Sequence, residues 1–524
     1  MPFARVACRA QVGLAAPLVT VEVSLTSGLP AFCIVGLPAM VVRESKERVR
    51  AALLNSHFDF PAGRITVNLA PADLPKEGGR FDLPIALGLL LASRQVRSVL
   101  PAGRAVAREF YGELGLTGEL KAVPGLLPAA VAARRSDHEL IVPRANALEA
   151  CAVAPALTRA ADHLLEVCAH VAGTAPLPPA RDPRASSALL PQPPALPLDL
   201  ADVRGQAHAK RALTIAAAGS HSLLLIGPPG CGKSMLAQRL PGLLPPLEAS
   251  EALEVAAIAS VSGADFRCQA LSERPFRSPH HSATVPALVG GGARARPGEI
   301  SLAHHGVLFL DELPEFGRAT LEALREPLET GMVAVARAAR ETRYPAAFQL
   351  IAAMNPCPCG RLGDPTGSCR CSPHAVRRYL GRISGPLLDR LDMQVEVPPV
   401  PAGEFDLPSA EGSAAAADAV RRARELQLAR QGICNARLAD TALPRCCMPD
   451  ALGRRLLETA VRRFGLSGRS RVRVLKVART IADLDGHATV GIAQLSEALM
   501  LRCLDRAAGG ASAAPSTPCS PPPA

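Results

Sequence analysis

The stretch Leu223-Leu224-Leu225-Ile226-Gly227-Pro228-Pro229-Gly230-Cys231-Gly232-Lys233-Ser234 decides the fold. Four apolar residues, too few for a helix, run into a Gly-x4-Gly-Lys-Ser turn, and Met235 to Leu240 leaves it in a helix-compatible pattern. Strand, glycine turn and helix in that order make a phosphate-binding loop. The glycines let successive backbone N–H groups converge on phosphate oxygens, and the Lys233 ammonium supplies a point charge for the β- and γ-phosphates. The Ser234 hydroxyl is a ligand for Mg²⁺. Gly227, Pro228, Pro229, Gly230, Cys231, Gly232, Lys233 and Ser234 are therefore the expected ATP-binding residues.

A second apolar strand, Val307 to Leu310, ends in Asp311-Glu312. Two carboxylates at a strand end facing a phosphate loop divide the work. Asp311 holds Mg²⁺, directly or through water, and Glu312 polarises the attacking water.

The 524 residues allow two to four domains, and 48% hydrophobic with 20% charged content is globular composition. A net charge of +11 favours a polyanionic partner. With no Trp and three Tyr, base stacking is poorly supplied, so nucleic-acid contact should run through phosphates. Fifteen cysteines, scattered except for one cluster, read as reduced cytosolic thiols plus a metal site. Arg5 and Arg9 before Val12 to Val21 mimic a secretory signal, but Glu22 follows and no small-x-small site ends the run. Apolar runs such as Ala86 to Ala92 fall far short of the roughly 18 residues a membrane span needs. A cytoplasmic protein without membrane contact is expected.

Residues 1–172 mix strand-like alternation (Val19 to Ser24, Arg64 to Leu69) with helical stretches (Val42 to Asn55, Pro128 to Arg135), which predicts an α+β or α/β domain. Pro75-Lys-Glu-Gly-Gly-Arg80 and Gly112 to Leu126 resemble segments of the proteolytic domain of Lon-type proteases. That resemblance puts Arg80 at the nucleophilic serine position and Leu127 at the lysine position. A Ser/Lys dyad needs both groups, so a Lon-like fold without peptidase activity is expected. Residues 173–198 turn to Pro, Ala, Arg and Ser and read as a linker. Asp199 opens the second domain, with a helix predicted over Ala207 to Ala218.

Arg274-Pro-Phe-Arg-Ser-Pro-His280-His281, Val289 to Gly292 and Pro297 to Gly306 resemble the magnesium-chelatase-like AAA+ ATPases of the ComM/YifB family. The resemblance covers residues 1–506. It implies an AAA+ ATPase core over 199–400, with a parallel sheet flanked by helices, and a helical lid over 401–506. The Asp311-Glu312 pair becomes a Walker B motif, and Asn355 resembles the sensor-1 residue that orients water against the γ-phosphate. Arg390, in Leu387-Leu-Asp-Arg-Leu-Asp392, resembles an arginine finger, which reaches a neighbour's γ-phosphate. Arg469 resembles sensor 2, and Val203 and Gln206 stand where related chains pack against adenine. A hairpin from Gly331 to Tyr344 would project into the pore of a ring, with Arg337, Arg340 and Arg343 to grip phosphates.

Cys357, Cys359, Cys369 and Cys371 bring four thiols within 15 residues. Four sulfurs suit a tetrahedral Zn²⁺ site that would stiffen a loop, although Cys-x-Cys is tighter than the usual spacing. His280-His281 and His304-His305 invite a metal too. Neighbours on a strand face opposite ways, so loop packing or pore lining is expected instead. One helix is expected from Ala319 to Glu329, lid helices over 415–431, 450–464, 468–484 and 491–506, and a disordered tail over 507–524.

The family resemblance implies an ATP-driven DNA translocase or branch-migration helicase, a homo-hexamer on single-stranded or branched DNA in recombination or natural transformation. A competing reading is a chelatase-type motor that remodels a protein or metal-insertion complex.

Overall fold

The computed structural model describes residues 2–99, 107–180, 198–263, 273–292, 295–337, 340–363, 369–400, 403 and 412–505. Most of the expected 173–198 linker, and the tail after residue 505, lie outside them.

The N-terminal part is built on a seven-stranded sheet in the order Ala31–Val35, Arg64–Ala70, Leu18–Thr26, Phe3–Arg9, Arg108–Phe110, Glu139–Pro143, Thr158–Ala161. Its first half is antiparallel where Leu18–Thr26 pairs with Arg64–Ala70 and with Phe3–Arg9. The remaining pairings are parallel. Alternation decides which face is covered: Val19, Val21 and Val23 are fully buried while Thr20 and Glu22 are half-buried. The apolar run considered as a span is the helix Asp82–Ala92, buried on nearly every side, as a helix without a polar face must be. Buried Asp82 is held there by Arg48, whose Nε lies 2.7 Å from its Oδ2.

The second part is organised by a five-stranded sheet, all parallel, in the order Phe276–Arg277, Val307–Leu310, Gln349–Met354, Leu223–Ile226, Met393–Glu396. Numbered along the chain, that order is 2-3-4-1-5. Strand 1 therefore lies between strands 4 and 5, and chemistry collects at the carboxyl ends beside this crossover point. Strands Leu223–Ile226, Val307–Leu310 and Gln349–Met354 are buried throughout, as strands covered on both faces must be. The lid helices Ser413–Gln431 and Gly468–Leu484 pack on Ala207–Gly219, and one apolar core runs from Leu223 and Phe309 through Val474 and Leu495. Lid and sheet thus share a core.

Three expectations need correction. The helix expected over 319–329 is two, Arg318–Glu322 and Arg325–Thr330. Pro327 cannot donate to Ala323, and its ring crowds that carbonyl, so the chain breaks between them. The helix expected over 491–506 runs over Ile492–Met500 and is interrupted at Leu501 and Arg502 before helical residues resume at 503–505. The histidine pairs are not on strands, and their rings lie together, 4.0 Å apart at His280–His281 and 3.9 Å at His304–His305. The opposite-faces argument fails, and both rings of the second pair reach Glu254, at 3.0 and 2.9 Å.

Candidate active site

The phosphate loop leaves strand Leu223–Ile226 and closes into the helix Lys233–Arg239. Two glycines are dictated by geometry. A Cβ on Gly227 would sit 2.2 Å from the Val397 carbonyl oxygen, and Gly232 caps the helix at φ 93°, where L side chains are strained. The backbone at the helix start is thereby turned toward the space a phosphate would fill.

Sheet register then delivers the partners. Ile226 is level with Met354, and Leu310 with Ala352, so Asn355 and Asp311 emerge beside the loop at one edge. The Ser234 hydroxyl donates to Asp311 Oδ2 at 2.7 Å. An octahedral Mg²⁺ with oxygens near 2.1 Å separates adjacent ligands by about 3.0 Å, within a few tenths of an ångström of this pair, so the two oxygens fit that ion. The Lys233 ammonium, itself buried, donates to the Gly227 and Pro228 carbonyls at 2.7 and 2.8 Å and to Asn355 Oδ1 at 3.2 Å. A phosphate oxygen could replace those acceptors on the ammonium.

Glu312 is exposed and sits at φ 53°, ψ 47°, left-handed for a residue with a side chain. Such a conformation costs about 1 kcal/mol or more and persists where surroundings impose it. Its carboxylate lies 3.1 Å from His281 Nδ1. That contact is not readable from sequence, because 25 positions separate the motif Arg274 to His281 from the strand Val307–Leu310. The parallel pairing of Phe276–Arg277 with Val307–Leu308 creates it.

Gln206 reaches the loop from the entry segment, its Nε2 donating to the Cys231 carbonyl at 3.3 Å and to the Pro398 carbonyl at 2.6 Å. Val203 is buried. Arg390, the expected finger, lies on the turn after the short helix Gly385–Leu388. It is buried, its Nη2 2.5 Å from Glu329 and its Nη1 on the Pro386 carbonyl, so it is an ion pair of its own subunit. Arg469 is exposed in the first turn of Gly468–Leu484, and no described contact brings it to the loop. The next turn presents Arg473, which binds buried Asp392 at 2.5 Å.

The hairpin is present, Met332–Arg337 against Arg340–Pro345. The side chains of Arg337 and Arg340 lie outside the described residues. Arg343 is exposed and paired with Glu341, whereas Tyr344 is core, its hydroxyl donating to the Ala295 carbonyl at 2.8 Å.

The four sulfurs converge within 4.8 Å of one another. Cys357, Cys359 and Cys369 Sγ atoms lie 3.3 to 3.8 Å apart. Zn–S bonds of 2.3 Å in a tetrahedron put sulfurs about 3.8 Å apart, so the set fits Zn²⁺. The Arg361 backbone N–H and neighbouring thiols hold Cys359 down to about 6, which supplies a thiolate near neutrality. This knuckle touches the phosphate loop: a Cβ on Gly360 would meet Pro229 Cδ at 2.6 Å. Glu254 with His304 and His305 is a poorer metal site. His304 Nδ1 accepts the Ala347 N–H, so in the neutral ring the proton sits on Nε2, the atom facing Glu254.

Residues 199–405 match the family model for magnesium chelatase subunit ChlI, 21–146 match that for subunit ChlI of Mg-chelatase, and 410–502 match the ChlI C-terminal model. The chain is 50% identical over 509 residues to competence protein ComM of Haemophilus influenzae, covering 97% of this chain and 98% of that one. The chain belongs to the ComM/YifB family. It is 48% identical over 510 residues to YifB of Salmonella typhimurium, covering 97% and 98%, and 43% identical over 497 residues to a Mycobacterium bovis protein, covering 94% and 96%. With this membership, the 2-3-4-1-5 sheet is an AAA+ domain of magnesium-chelatase type, an ATPase fold that implies ATP and Mg²⁺. No helix among the described residues is long and apolar enough to cross a membrane.

Proposed function

We propose that the protein is an ATP-driven DNA translocase, a branch-migration helicase working as a homo-hexamer in recombination or natural transformation. The carrying observation is the convergence of Lys233, Ser234, Asp311 and Asn355 at one sheet edge, in a chain half identical to a protein named for competence. The loop N–H groups and Lys233 bind the phosphates. Ser234 and Asp311 would hold Mg²⁺, which supplies charge neutralisation when bound. Glu312 takes the proton of the attacking water while Asn355 orients it, and the net charge of +11 favours a DNA backbone as the track. Arg80 and Leu127, both buried, provide no nucleophile and no base, which supports a motor without peptidase activity.

The test is the ATPase rate of the intact chain with and without single-stranded or forked DNA, beside Glu312→Gln. DNA should raise the rate several-fold. The variant should keep ATP affinity while turnover falls about 100-fold or more. Equal rates with and without DNA, together with no DNA binding, would end this reading. The name of the matching family models favours a second one, a motor that remodels a protein or metal-insertion complex. It expects stimulation by a protein partner and indifference to DNA.

A further inference from the structure

Away from the ATP site, a cavity of about 570 Å³ lies between the N-terminal domain and the ATPase module. One wall is Gln11 with Pro75 to Arg80, the turn that opens the helix Asp82–Ala92. The other is formed by Val261, Arg296 and Thr342, the last on the second strand of the hairpin.

Arg80 is the residue that needs explaining. It is 3% exposed, and its Nη2 donates to Gln11 Oε1 at 2.8 Å and to the Pro124 carbonyl at 2.5 Å. Its buried Nη1 has no partner, and among the described residues no carboxylate lies within ion-pair distance. A guanidinium does not shed its proton to escape burial, and the charge of buried Glu149, acting from beyond contact, offsets only part of that cost, which an anion in the cavity would reduce further. Fully buried Lys76 also lines the cavity, its ammonium donating to the Pro71 carbonyl, and exposed Arg43 and Arg296 stand on its walls. Against these four cations the described lining holds one acid, Glu77.

We propose that this cavity binds a phosphate ester of mononucleotide size, with Arg80 as its buried anchor. Arginine's fork matches phosphate oxygens, a lysine adds a point charge, and the glycine turn Gly78-Gly79 at the helix start adds a favourable dipole. The volume is that of a small-molecule site. Because Thr342 forms part of the wall, an occupant would tie the N-terminal domain to the hairpin.

The test uses the intact chain carrying Lys233→Ala, so that the ATP loop does not answer. AMP and pyrophosphate are the probes and citrate the phosphate-free polyanion, read by calorimetry and thermal shift. Saturable binding of AMP or pyrophosphate with Kd under about 1 mM, and a raised Tm, are expected. Arg80→Gln should weaken it about tenfold or more. If that variant fails to fold, the exposed double change Arg43→Ala with Arg296→Ala carries the test and should weaken binding about threefold or more. No saturation by either phosphate, unchanged affinity in the folded arginine variants, or equal binding of citrate overturns the assignment.

Discussion

Glu312 carries two obligations at once, and His281 is where they meet. As placed, the carboxylate is engaged by an imidazole 3.1 Å away, so it is not free to take a proton from water. His281→Ala should therefore raise the ATPase rate measured without DNA, by about two- to fivefold, and shrink the further gain on adding DNA. A variant with an unchanged basal rate and full stimulation would make the contact incidental. His304 makes a different prediction. Burial pushes its imidazole down to about 4, against the opposing pull of Glu254, with His305 and Arg437 adding repulsion. Folded His304 stays neutral where the unfolded chain takes a proton near 6.5, so stability is present above that value and lost as pH falls toward 4. Thermal melts between pH 7.5 and 4.5 should show a steeper loss for the native chain than for His304→Gln. Parallel curves would remove His304 from the account.

At the scale of elements, the cysteine knuckle is a brace for the phosphate loop, since Gly360 leaves no room for a side chain beside Pro229. Protein never exposed to chelator should carry about one equivalent of zinc, and Cys369→Ser should lose the metal, melt several degrees lower and bind ATP less tightly. Less than about a tenth of an equivalent in the native chain would rule against the metal. Gly360→Ala should keep its zinc and still raise KM for ATP, by about threefold or more, because it presses on the loop directly. The elements differ in how far sequence reveals them. The loop, Asp311 and Asn355 were legible because each follows a short, largely apolar strand, and parallel pairing brings such ends together. What escaped depends on packing: His281 reaches Glu312 only through strand pairing, and Glu254 gathers two histidines from a helix some 50 residues earlier. Arg390 matched a motif, and only the structure shows its pairing with Glu329. Pro327 was readable and outweighs the leucine periodicity that suggested one helix.

For the whole molecule, one chain supplies the loop, both Mg²⁺-facing oxygens, Glu312 and Asn355. An arginine completing the site across a subunit boundary, Arg390 or another, would come from a neighbour. The proposed ring can be tested without knowing which. When Glu312→Gln subunits are mixed into native protein and allowed to exchange, independent subunits would lose DNA-stimulated ATPase in proportion to the fraction added. Subunits that fire in turn around a ring should lose it far faster, so an equal mixture should retain well under half the rate. Salt separates the track from the fuel in the same assay. A protein with net charge +11 that grips DNA through phosphates releases counterions on binding, so DNA-stimulated turnover at limiting DNA should collapse between about 50 and 200 mM salt. Turnover without DNA, whose ion pairs are local, should change little over that range. A stimulated rate indifferent to salt would mean that the charge serves something other than a polynucleotide, and a strictly proportional dilution would mean that each subunit works alone.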